Sequence, residues 1–113
     1  MGENNKIVRE VRKEEYELIK EKYGERIIIS PHAVDYLSMG QRGVFREIDL
    51  IRSLLQERPY FIGLQKNGRY SVIFRRTEGF MKIILEIRRD CIVIITFMEV
   101  EMVPRRIGRE NGK

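Results

Sequence analysis

Residues 59 to 100 constrain this chain most, because they read as four β-strands in succession. Pro59 closes a helical pattern, and Tyr60 to Leu64 form an apolar run that stops at Gln65-Lys66-Asn67-Gly68. Asn-Gly is a strong hairpin signal, since both residues tolerate the positive φ that a type I′ turn requires. From Arg69 the pattern alternates: Tyr70, Val72 and Phe74 fall on one face, and Arg69, Ser71, Ile73 and Arg75 on the other. After a turn at Thr77-Glu78-Gly79, Met81, Ile83, Leu85 and Ile87 share one face; Lys82, Glu86 and Arg88, with Ile84 among them, share the opposite one. Arg89-Asp90 turns the chain again, and Cys91 to Met98 are apolar apart from Thr96, which predicts a strand covered on both faces. The outcome is an antiparallel meander with one apolar, helix-facing side and a band of Arg and Lys on the other.

Upstream the pattern changes to helical spacing. Ile7, Val8, Val11, Leu18 and Ile19 predict a helix from about Val11 to Tyr23, with Ile7-Val8 open to a short strand instead, and Gly24 is placed to end it. Glu25 to Ser30 is a short β-branched strand. Ser30-Pro31 then starts a helix, Ser as N-cap and Pro at the first helical position. Met39 to Gly43 breaks that helix, and a longer one from Val44 to Glu57 carries Val44, Ile48, Ile51, Leu54 and Leu55 as its apolar stripe. Helices segregated from an antiparallel sheet make the chain α+β, with helices packed on one face of a four- to five-stranded, mainly antiparallel sheet.

At 113 residues the chain is expected to be one domain, with residues 1–24 as an N-terminal helical extension and residues 104–113 as a basic tail. The net charge of +5 is uneven. The first 59 residues balance, whereas residues 60–98 hold seven basic side chains against three acidic ones. Fifteen of the twenty-two basic residues are Arg, which suits phosphate geometry. The same charges also fit a merely solvated face. High charge with many Ile and few Asn or Gln fits a thermophilic source. A polar start and apolar runs of only strand length predict a cytoplasmic protein with no membrane partner.

Cofactor chemistry finds little to stand on. One histidine, one cysteine inside an Ile-Val strand and no clustered carboxylates leave too few ligands for a metal, and no Gly-rich phosphate loop is present. Neither a metal nor a cofactor is expected.

Four pieces, in this order and spacing, resemble small domains grouped with the RelE and BrnT toxins. They are Ser30-Pro31-His32-Ala33, Arg42-Gly43-Val44, Asn67-Gly68-Arg69-Tyr70-Ser71-Val72 and Ile92-Val93-Ile94-Ile95-Thr96, and the similarity runs from about Ile27 to Val100. The resemblance implies a ribonuclease-type toxin fold and metal-independent cleavage of mRNA, ribosome-bound in some settings, restrained by an antitoxin protein.

Cleaving RNA through its own 2′-hydroxyl needs removal of that proton, stabilisation of charge on the phosphoryl oxygens and protonation of the leaving oxygen. The candidates for these roles are His32, Arg69, Arg75, Lys82 and Glu86, with Arg76, Arg88 and Lys66 as further RNA contacts. Each has a plainer reading. His32 suits a structural hydrogen bond at a helix start, Arg69 an exposed strand-end charge, and Lys82 or Glu86 a cross-strand ion pair with Arg75 or Arg88. Tyr70 falls on the core face by strict alternation. The same fold without catalysis would be a nucleic-acid- or protein-binding module. An exposed strand, Tyr60 to Leu64 or Cys91 to Met98, would offer an edge to an antitoxin or to a second copy in a homodimer.

Overall fold

The computed structural model describes residues 6–34 and 47–101. Its elements are β1 (Ile7–Glu10), α1 (Lys13–Tyr23), β2 (Ile27–Ile29), a helix α2 opening at residues 31–34, α3 (Glu47–Gln56), β3 (Phe61–Gln65), β4 (Tyr70–Arg75), β5 (Phe80–Arg88) and β6 (Cys91–Val100). The helix break at Met39 to Gly43, the start of α3 at Val44 and the basic tail lie outside the described residues.

The fold is α+β, and its sheet has six strands in the order β1-β3-β4-β5-β6-β2. The four- to five-stranded expectation is corrected by the two short outer strands. β1 pairs antiparallel with β3, and β2 pairs parallel with β6. Neither partner is near in sequence, so the pairing was not visible locally. These strands are the edges, which also corrects the expectation that β3 or β6 would be one: each has neighbours on both sides. No helix among the described residues is long and apolar enough to cross a membrane.

The sheet's alternating residues divide as the pleat requires. Ile62, Val72, Phe74, Met81, Ile83, Leu85, Ile92, Ile94 and Phe97 join one buried cluster with residues from the helices. From α1 the cluster takes Tyr16, with Ile19 and Tyr23 packed against it, while the predicted Leu18 is exposed. From α3 it takes Leu50 and Leu54, whereas Ile48 and Leu55 of the predicted stripe face out. The N-terminal segment thus contributes both an edge strand and core side chains.

Polar contacts fix the helices onto this cluster. The buried Tyr16 hydroxyl donates to the Leu54 carbonyl at 2.8 Å, and Lys20 Nζ donates to the Leu55 carbonyl at 3.2 Å. Both carbonyls belong to the last turn of α3, where intrahelical donors run out. Burial pushes the Tyr16 phenol well above its ordinary value. At the start of α2, Ser30 caps as predicted: its Oγ accepts from the Ala33 N–H at 3.2 Å and donates to the Ile95 carbonyl at 2.8 Å.

Two irregularities in the meander shape the opposite face. Gly68 alone takes a left-handed φ, 90°, in the β3–β4 turn, and Asn67 does not. Gly68 N–H bonds to the Gln65 carbonyl and Gln65 N–H to the Arg69 carbonyl, so the connection is a three-residue type I turn with a bulge rather than the expected type I′. Asn67 Oδ1 accepts from the Arg69 N–H at 3.0 Å. The second irregularity lies in β6. Ile84 opposes Thr96 while Leu85 opposes Ile94, which leaves Ile95 as an extra residue. This bulge reverses the alternation, sending Phe97 into the core and turning Thr96 and Met98 to the other side.

Candidate functional site

The sheet face away from the helices carries the charged residues of β4 and β5. Arg69 bonds to Glu86, and register places Ile84 between Ser71 and Thr96, and Lys82 between Ile73 and Met98. At its centre is a concavity of about 470 Å³ lined by Ile7, Gln65, Arg69, Ser71, Lys82, Ile84, Ile95, Thr96 and Met98. Five strands contribute, so the site exists only once the sheet has assembled.

Lys82 is the unusual member. It is half-buried and makes no ion pair or hydrogen bond among the described residues. Its burial, with no carboxylate to offset it, pushes the ammonium below the ordinary lysine range. Beside it, the Oε1 of Gln65 and the Oγ of Ser71 are buried without a hydrogen-bond partner. The concavity therefore offers one uncompensated cation and two unused acceptors under an aliphatic rim.

Glu86 is differently placed. Its Oε1 accepts from Arg69 Nε at 3.0 Å and its Oε2 from Arg88 Nε at 2.9 Å. These bonds, that from Arg88 foremost, hold its carboxyl below the usual range. A carboxylate so held is a poor proton acceptor, and the trio keeps a net positive charge.

Arg75 lies at the far end of the same face, exposed, with its guanidinium carbon 4.8 Å from the Tyr60 ring centre and 5.5 Å from that of Phe80. The two rings are 5.0 Å apart and tilted by 39°. Arg76 points the other way. It donates to Glu57 Oε1 at 2.8 Å, to Glu57 Oε2 at 3.3 Å and to Ser53 Oγ at 3.0 Å, fastening the end of β4 to α3. Lys66 is exposed in the β3–β4 turn, and His32 is exposed at the start of α2, outside the lining of the concavity. Tyr70 packs partly buried against the core.

The structure thus brings Arg69, Lys82 and Glu86 together, with Arg88 joined through Glu86 and Arg75 farther along the strand. It separates His32 and Arg76 from them. Sequence reasoning missed Gln65, which looked like the first residue of a turn, and Thr96, whose face depends on the bulge. Ser71 shares the Arg69 face by simple alternation, which was signal enough to nominate it. Among the described residues, no group of three or more His, Cys, Asp or Glu is placed to hold a metal ion. Compared with protein-family models, curated proteins and solved structures, the chain matches none.

Proposed function

We propose that the protein is a binding module for single-stranded RNA, docking the strand at the sheet face away from the helices. The observation that carries this reading is Lys82, a half-buried ammonium in the lining of a concavity with no counter-charge among the described residues. A phosphate would supply that counter-charge. Arg75 with Tyr60 and Phe80 adds a cation and two rings on which a base can stack. Arg75 lies six steps along the strand from Arg69, about 20 Å of extended chain, which spans a short run of nucleotides. Cations and stacking rings on one face of the sheet suit a nucleic acid better than a protein partner.

Metal-independent endoribonuclease activity, of the kind the RelE and BrnT resemblance implies and with an antitoxin as its protein partner, is the second reading. It is favoured by the Lys82 ammonium, which burial makes readier to give up its proton than an ordinary lysine. Glu86, held ionised between two guanidiniums, and His32, outside the concavity, contribute little to it. Incubating labelled single-stranded RNA with the pure protein, with and without EDTA and with and without ribosomes, separates the readings. Salt-sensitive binding with intact RNA supports the first, cleavage that survives EDTA supports the second, and no binding at low salt contradicts both.

A further inference from the structure

The unused acceptors in the concavity speak to what kind of nucleotide would enter it. Gln65 is 4% exposed and Ser71 1% exposed, yet Gln65 Oε1 and Ser71 Oγ have no hydrogen-bond partner among the described residues. Buried polar atoms are seldom left so, and both residues line the concavity. Gln65 pairs across the turn and Ser71 lies opposite Gly63, so the two are diagonal neighbours on adjacent strands. The terminal torsion of Gln is broad and the hydroxyl of Ser rotates freely, so both can turn toward an occupant. The surrounding Ile7, Ile84, Ile95 and Met98 offer aliphatic contact to a flat ring, and Lys82 sits in the same lining. A volume of about 470 Å³ suits an object the size of one nucleotide.

We propose that this concavity takes one nucleotide of the bound strand and selects a base with an exocyclic amine, Gln65 and Ser71 accepting its two N–H groups while Lys82 pairs with the adjoining phosphate. The inference rests on the RNA-binding reading above. One amino nitrogen supplies two donors from a single point, which matches two neighbouring acceptors. Uracil has no amine and leaves at least one of them unmet. A polar site built to receive a donor rejects an occupant that lacks it.

The test is equilibrium binding of oligoadenylate, oligocytidylate and oligouridylate of equal length at one salt concentration, so that the phosphate contribution is shared. The inference predicts that the amine-bearing oligomers bind at least about fivefold more tightly than oligouridylate. Gln65→Met keeps the side-chain length and removes the orphaned acceptor, so folding should be preserved; it is predicted to abolish the preference by weakening the amine-bearing oligomers. Ser71→Ala should reduce the preference independently. Equal binding of all three oligomers, or a preference untouched by both substitutions, overturns the inference and leaves RNA binding standing. Failure of every oligomer to bind overturns the RNA-binding reading itself.

Discussion

The side chain of Ile7, whose backbone pairs with Gln65, lies over Gly63 on the sheet face away from the helices. A methyl group added at Gly63 would come within 2.8 Å of Ile7 Cδ1 and 2.9 Å of its Cγ2, closer than van der Waals contact allows. The glycine is therefore what lets the edge strand β1 lay its first side chain over β3 and wall the concavity.

Gly63→Ala should push that side chain aside. The clash falls mainly on a flexible side chain, so stability is expected to change by no more than about 1 kcal/mol, part of it offset by the lower chain entropy of the unfolded alanine variant. RNA affinity should nevertheless fall by about threefold or more, because the wall moves. Thermal melts and fluorescence anisotropy on the same preparation check both parts.

Tyr16→Phe removes the donor that satisfies the buried Leu54 carbonyl. Leaving that acceptor unpaired is expected to cost about 1–3 kcal/mol, and Tm should fall by several degrees. RNA binding should be unchanged at a temperature where the variant is folded, since Tyr16 lies on the helix side of the sheet.

Arg75 and Arg76 are adjacent in sequence and opposite in role. Arg76→Ala breaks the contacts with Glu57 and Ser53, and because the pair is only partly shielded the loss should be about 1 kcal/mol, with RNA affinity little altered. Arg75→Ala should do the reverse, leaving Tm nearly constant while weakening RNA binding. Urea melts and anisotropy titrations of the two variants should cross in this way.

Lys82 links the site to pH. Burial lowers its folded-state value, so phosphate binding should weaken as pH rises through a range below that of an ordinary lysine. Its effect on stability has the opposite sign: the unfolded chain holds the proton more tightly, so stability rises with pH across the interval between the folded and unfolded values. Glu86, held below the usual carboxylate range, stays ionised through this interval. Lys82→Arg should remove the alkaline loss of affinity, as measured by anisotropy at stepped pH.

Alternation made the two faces of β4 and β5 legible, because Arg69, Ser71 and Arg75, and then Lys82, Glu86 and Arg88, fall at every second position with only Ile73 and Ile84 among them. The same device failed in β6. Ile92 to Ile95 are apolar at every position, so a one-residue bulge leaves no mark, and the face of Thr96 and Met98 follows only from pairing with β5. Ser30-Pro31 announced a capped helix through local chemistry alone, and the cap forms. The edge pairings were hidden for a different reason: Glu25 to Ser30 read as a strand and Ile7-Val8 as an open alternative, but their partners lie far along the chain. Of the candidate residues, those on alternating strands came together, whereas Arg76 sits past the end of β4, where alternation no longer predicts direction.

The salt dependence of RNA binding by the wild-type protein and by Lys82→Ala tests the central claim most directly. Binding should weaken linearly in log Kd against log salt, and removing the Lys82 contact should lower the slope by about 0.7, the share of one phosphate on a single strand. No RNA binding at low salt, or a slope that Lys82→Ala leaves unchanged, would contradict the account.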